Sequence, residues 1–141
     1  ADPARVAIFG ASYGGYAALM GLIKTPKLYR CGIAFAAVTD RRLLYRNDLL
    51  RFGDGDEAGF KTLFGDPDAD PELFDATSPI RQVERIQAPV LLHYGELDER
   101  VNAGWPAYKA ALDAAGTSRR HPETLHPAVD LRFMAGIGEW P

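Results

Sequence analysis

An α/β fold with a mostly parallel sheet is predicted by three features of the 141-residue chain: buried-strand-like runs, a helical stretch between the first two, and turn signals at their ends. Val6-Ala7-Ile8-Phe9 is a short apolar run stopped by Gly10, as suits a strand buried on both faces. From Gly14 to Lys24, Tyr16, Leu19, Met20 and Ile23 recur at helical spacing, and Thr25-Pro26 ends the helix. Cys31 to Val38 reads as a second buried strand, so the first 38 residues form one βαβ unit. Residues 39–75 are rich in Asp, Gly and Arg and carry turn signals at Gly53-Asp54-Gly55-Asp56 and Gly65-Asp66-Pro67. They predict a helical excursion away from the sheet. Ile80 to Ile86 predicts a helical turn or two, and Pro89 precedes a third buried strand, Val90 to Tyr94, ended by Gly95. A helix follows from Asn102 or Ala103, with Pro106 in its first turn, a stripe of Trp105, Tyr108, Leu112 and Ala115, and Gly116 as C-cap. Beyond it the period is lost; Glu123 to His126 predicts part of a strand, and 117–141 form a divergent tail to a single, partial domain spanning 1–141.

Composition narrows the function classes. The apolar share of 47% and charged share of 25% are those of an ordinary globular domain, not of a disordered chain. Net charge is −3 with no basic block, which argues against a nucleic-acid or anionic-membrane partner. The longest apolar run, Cys31 to Val38, is too short to span a bilayer, and no charged-then-apolar leader opens the chain; both predict a cytoplasmic protein. The absence of an initiator Met suggests a piece of a longer chain. A lone Cys31 excludes an internal disulfide and a cysteine-based zinc site, and its apolar neighbours predict burial in a strand. No clustered His, Asp or Glu spacing suggests a metal, and no cofactor is expected.

The chemistry is concentrated in Gly10-Ala11-Ser12-Tyr13-Gly14-Gly15, a G-x-S-x-G motif with one further glycine. It lies between a predicted strand and a predicted helix, the context in which this motif forms the nucleophile turn of the α/β-hydrolase fold. The chain must reverse within a few residues, which forces the serine into a strained conformation; side chains at Gly10 or Gly14 are expected to collide with neighbouring backbone. Ser12 is then the nucleophile at the carboxyl edge of the sheet, and the Tyr13 N–H one oxyanion-hole donor. The bland alternative is a glycine-rich turn with an incidental serine. A serine hydroxyl needs a base, oriented by a carboxylate, and in this fold the chain order is serine, acid, histidine. Asp98, just past the third strand on the same sheet edge as Ser12, is the candidate acid, with a solvated loop acid, as Glu96 and Glu99 read, as the alternative. His93 precedes the acid and lies inside a strand, which predicts a hydrogen-bonded core residue. His126 and His121 remain as candidates for the base, with a chain lacking a working base as the third possibility.

From Arg5 to about Val101 the sequence resembles the catalytic domain of the prolyl oligopeptidase (S9) family, nearest its dipeptidyl-aminopeptidase and acylaminoacyl-peptidase branch. The resemblance is carried by the Gly-x-Ser-x-Gly-Gly-Tyr run at 10–16 and the Pro-Val-Leu-Leu-x-x-Gly-x-x-Asp-x-x-Val run at 89–101. It implies Ser12 as nucleophile and Asp98 as triad acid. The segment 93–116 is also similar to dienelactone hydrolases, which share the fold. The S9 resemblance implies strands upstream of residue 1 that complete the sheet and carry a second oxyanion donor, so the fold is expected to be N-terminally truncated. Both resemblances imply a histidine in a Pro-Gly-x-x-His-Gly loop, which counting from Asp98 falls near Asp130 to Phe133, where no histidine stands.

The predicted function is therefore cleavage of a peptide bond through an acyl-enzyme on Ser12. Carboxylesterase-like hydrolysis of a small ester and an inactive fragment with a binding role are the alternatives. An open sheet edge predicts a homo-oligomer. Phe52, Phe60, Phe64 and Phe74 read as helix-packing core more than acyl pocket, and Arg41, Arg42 and Arg46 as a solvated face more than a carboxylate site.

Overall fold

The computed structural model describes residues 2–52, 57–95, 98–116 and 123–126, the last four by their backbone. Strand β1 (Ala7–Ala11) leads through a tight turn into helix α1 (Tyr13–Lys24), which returns to strand β2 (Cys31–Phe35). Helices α2 (Arg41–Phe52), α3 (Glu57–Phe64) and α4 (Pro71–Ala76) follow, then two single turns of 3-10 helix at Pro79–Arg81 and Val83–Arg85. Strand β3 (Val90–Gly95), helices α5 (Glu99–Asn102) and α6 (Trp105–Ala114), and strand β4 (Glu123–His126) complete the described chain. The sheet order is β1-β2-β3-β4, and every neighbouring pair is parallel. Parallel neighbours need crossovers, and here each crossover is helical.

α1 covers one face of the sheet. The α1-facing side chains alternate along the strands: a methyl group at Gly32 would come within 2.6 Å of Leu22 Cδ1, and one at Gly21 within 2.9 Å of Ile8 Cδ1. Leu19, Leu22 and Ile23 of α1 pack with Ala34, Val90, Leu92 and Tyr94 of the strands and with Tyr108 and Leu112 of α6 in one buried cluster. The opposite face is different. Strands buried on both sides were expected, yet Phe9 is 70% exposed and Leu91 37%. On that face Cys31 and His93 are half-buried, and the His93 ring stacks on Phe35 at 4.6 Å. Neither is the fully buried residue that its apolar neighbours suggest, because alternation turns both away from α1. β2 is also shorter than its apolar run. Ala36 takes a φ of 46° and leaves the strand, although its N–H still donates to the His93 carbonyl at 2.7 Å.

Between β2 and β3 the helices build a second, smaller core. Tyr45, Phe60 and Phe74 are buried together, with Phe64 stacked on Phe60 at 4.4 Å. Asp40 accepts from the N–H groups of Arg42 (2.8 Å) and Leu43 (3.2 Å) at the start of α2, and Asp70 caps α4 through the Leu73 N–H. The expected solvated arginine face is tied down instead. Arg41 donates to Thr77 Oγ1 (2.7 Å) and the Phe64 carbonyl (3.1 Å), with its guanidinium over the Phe74 ring. Arg42 donates to Asp75 (3.1 Å) and the Pro71 carbonyl (2.7 Å). These bonds hold the ends of a 37-residue excursion together (residues 39–75), and of the three arginines Arg46 is exposed. No described helix is long and apolar enough to cross a membrane.

Candidate active site

Ser12 sits between β1 and α1 with φ 54° and ψ −118°, a conformation that L-residues rarely adopt. Two bonds hold it there: its N–H donates to the Phe35 carbonyl at 2.8 Å, and its carbonyl accepts from the Tyr16 N–H at 3.0 Å. The glycines explain how the turn closes. A Cβ at Gly10 would lie 2.1 Å from the Gly14 carbonyl oxygen, so the start of α1 crosses directly over β1. A Cβ at Gly15 would lie 2.8 Å from the Phe35 carbonyl oxygen and 3.0 Å from the Ala37 Cβ, so this glycine lets α1 press against the end of β2. Gly14 has nothing within 4 Å of a Cβ among the described residues. The expected collision belongs to Gly10 and Gly15, because the helix turns the Gly14 Cα outward while its carbonyl faces Gly10.

A serine at a helix N-cap ordinarily accepts a hydrogen bond from the first helical turn. Ser12 is the N-cap of α1 and its side chain makes no such bond. The positive φ carries the hydroxyl away from the helix, and the residue is exposed at the carboxyl edge of the sheet. Tyr13, the first residue of α1, contributes one of the four N–H groups that a helix leaves without an intrahelical partner. Its side chain is 73% exposed, 5.4 Å from the Tyr16 ring. Burial raises the pKa of the Tyr16 hydroxyl against the opposing pull of nearby Arg41, so that phenol stays protonated at neutral pH.

Asp98 repeats the arrangement. It is the N-cap of α5, its carboxylate makes no capping bond, and it is half-buried. The loop that carries it is closed by main-chain bonds from the Asp98 N–H to the Gly95 carbonyl (3.1 Å) and from the Asn102 N–H to the Asp98 carbonyl (2.9 Å). The Asn102 amide adds a third bond, to the Gly95 carbonyl. Glu99 is exposed, and Glu96 lies outside the described residues. Because β1, β2 and β3 run parallel, Ser12 and Asp98 follow the same ends of strands two places apart. At about 4.8 Å per neighbouring pair, those strand ends stand about 10 Å apart, axis to axis. His126 ends β4 opposite Gly95, so its backbone lies at the same edge, one strand beyond the Asp98 column and three, or about 14 Å, from that of Ser12. His121 lies outside the described residues. Among the described residues no group of His, Cys, Asp and Glu is placed to hold a metal.

Two features of this edge were not visible in the sequence. Ala36 shares with Ser12 a positive φ, the only non-glycine residues to do so among those described, and both lie at the ends of adjacent strands. Strain of this kind collects at functional edges. The other is Asp48, buried in α2 and bonded to Arg100 of α5. Ser/Asp spacing in sequence gives no sign of either, since both depend on which element lies alongside.

Strand order, parallel register and the strained serine turn define part of an α/β-hydrolase domain. The sequence model of the prolyl oligopeptidase family matches residues 1–118, and the chain belongs to that family. Dipeptidyl aminopeptidase BIII of Pseudoxanthomonas mexicana is 34% identical over 99 residues, which make up 69% of this chain and 14% of that protein. S-formylglutathione hydrolase of Bos taurus is 31% identical over 103 residues, 73% of this chain and 33% of that protein. The chain therefore spans from about a seventh to a third of these relatives. Among solved structures, Pyrococcus horikoshii acylaminoacyl peptidase superposes with a TM-score of 0.74 at 22% identity, over 91% of this chain and 20% of that one; at this identity the likeness speaks for the fold.

Proposed function

We propose that this chain carries the nucleophile and acid of a serine peptidase that cleaves an aminoacyl or oligopeptide bond through an acyl-enzyme on Ser12. The observation that carries the reading is that Ser12 and Asp98 both occupy N-cap positions at one sheet edge and neither side chain is spent on capping. In this reading the Ser12 Oγ attacks the scissile carbonyl carbon while its proton passes to an imidazole held by Asp98. The negative carbonyl oxygen of the tetrahedral intermediate accepts from the Tyr13 N–H. Collapse breaks the C–N bond, the imidazolium gives its proton to the departing amine, and water then releases the acyl group by the same steps in reverse roles. His126 is the proposed base and His121 the alternative. No metal or cofactor enters this chemistry. The proposed location is the cytoplasm, which recovery in a secreted fraction overturns.

A second reading, ester hydrolysis, is favoured by the similarity to an enzyme named as an S-formylglutathione hydrolase, whose substrate is a thioester. A third, binding without turnover, is supported by residues 130–133, where the family resemblance expects the base and no histidine stands. One experiment separates them. The purified chain is treated with a fluorophosphonate probe beside Ser12→Ala, His126→Gln and His121→Gln. Labelling lost in Ser12→Ala and in one histidine variant supports the mechanism and names the base. Absence of labelling in folded protein leaves the third reading. Aminoacyl amides against short acyl esters then decide between peptidase and esterase.

A further inference from the structure

The mechanism leaves unused a buried charge. The side chain of Asp48, in the middle of α2, is 5% exposed and yet carries a carboxylate. It accepts two bonds from one guanidinium, from Arg100 Nε at 2.7 Å to Oδ1 and from Nη2 at 2.5 Å to Oδ2. This two-pronged pairing fixes distance and orientation together. Arg100 lies two residues after Asp98, in the four-residue helix that Asp98 begins. The pair therefore joins the helical excursion to the loop holding the acid, across 52 residues of sequence. A second contact reports the same docking. A Cβ at Gly104 would come 3.0 Å from Thr39 Oγ1 and 3.4 Å from Leu43 Cδ2, so the turn after α5 also presses on the start of α2.

We propose that Asp48 and Arg100 are a positioning pair that sets where the Asp98 loop stands above the sheet. The described main-chain bonds within 95–102 give the loop its shape and run back to Gly95 at the end of its own strand. Arg100 is the described side chain of α5 that reaches across to α2 through a paired charge. With Asp48 buried and Arg100 39% exposed, the pair contributes modest net stability, and in this proposal its effect is to fix one arrangement of the two segments. The arrangement fixed here is that of the candidate acid relative to the strand ends. The inference rests on the reading of Asp98 as the acid that orients the base, and its test can fail apart from that reading.

The test uses the full chain with Asp48→Asn, which keeps the shape and removes the charge, and Arg100→Lys, which keeps the charge and removes the fork. Two readouts are taken on whichever variants melt at the parent's temperature. Hydrogen exchange at the Asp98 and Asn102 amides is expected to quicken about tenfold or more, while the Gly32 amide in the sheet is unchanged. The rate of fluorophosphonate labelling at Ser12 is expected to fall between about tenfold and 100-fold in Asp48→Asn, with Arg100→Lys in between, as follows from displacing the acid by about 1 Å. Unchanged exchange at Asp98 and Asn102, or labelling at the parent's rate in a chain that does label, overturns the proposal. If the parent itself is not labelled, the acyl-enzyme reading fails, and the exchange result alone decides whether the pair anchors the loop.

Discussion

At the scale of single residues, the serine turn sets conformational demands that differ sharply among neighbouring positions. Gly10→Ala would put a Cβ 2.1 Å from the Gly14 carbonyl oxygen, with backbone and not a flexible side chain in the way. Urea unfolding should show a loss of about 3 kcal/mol or more, among the larger single-site effects. Gly14→Ala meets nothing within 4 Å among the described residues and replaces a helical glycine, so the same measurement should show no loss and a gain of up to about 1 kcal/mol. Ser12 itself is strained at φ 54°, a conformation that glycine holds freely. Ser12→Gly should therefore be more stable than Ser12→Ala by about 1 kcal/mol, with both unlabelled by the probe. Equal stability of the two would place the strain elsewhere. Gly10, Ser12 and their flanking glycines were readable in the sequence because a strand-to-helix reversal is a local steric problem. That Gly15 and not Gly14 needs its missing side chain was not, because the obstacle, the end of β2, is some 20 residues further along the chain.

At the scale of elements, the helical excursion is held by polar ties as much as by its aromatic core. The Asp66 carboxylate accepts from the Asp68 N–H at 2.9 Å and pairs with Lys61 at 3.1 Å. These contacts, the backbone bond foremost, hold its pKa below the ordinary 3.8. A lowered carboxylate contributes stability that is fully present above 3.8 and is lost as pH falls through the lower, folded value. The parent should thus unfold at higher urea than Asp66→Asn at neutral pH, with the gap closing as pH falls below 3.8; a pH-independent gap would assign the tie to something other than the charge. The same helices show where sequence reading stops. Phe60 and Phe74 were legible as core from their spacing and hydrophobicity, whereas Arg41 and Arg42 looked like a solvated face. Their partners Thr77, Phe64, Asp75 and Pro71 lie 23 or more residues away, a distance over which periodicity carries no information.

At the scale of the whole molecule, the sheet is covered unequally. α1 and α6 bury one face, while Phe9, 70% exposed on β1, and Leu91, 37% exposed on β3, mark the other. β1 is also an edge strand in the described sheet, with unpaired backbone groups along its outer side. Exposed apolar surface of this kind favours association. Sedimentation velocity should show self-association of the chain, reduced toward one chain per particle by Phe9→Lys; a monodisperse parent would overturn this. The expectation of strands buried on both faces came from their unbroken apolar runs; among the described residues the exposure of Phe9 and Leu91 departs from it.

By itself the sequence determined the βαβ unit and the strained serine turn at Gly10-Ala11-Ser12-Tyr13-Gly14-Gly15. Each follows from hydrophobic period or from sterics within a few residues, and both are local. The tertiary structure alone decided that Ser12 and Asp98 rise from strands two places apart, that Gly15 seats α1 on β2, and that buried Asp48 reaches Arg100, two residues after Asp98. These depend on which strand lies next to which and which helix folds over them, and such adjacency exists only once the chain is packed.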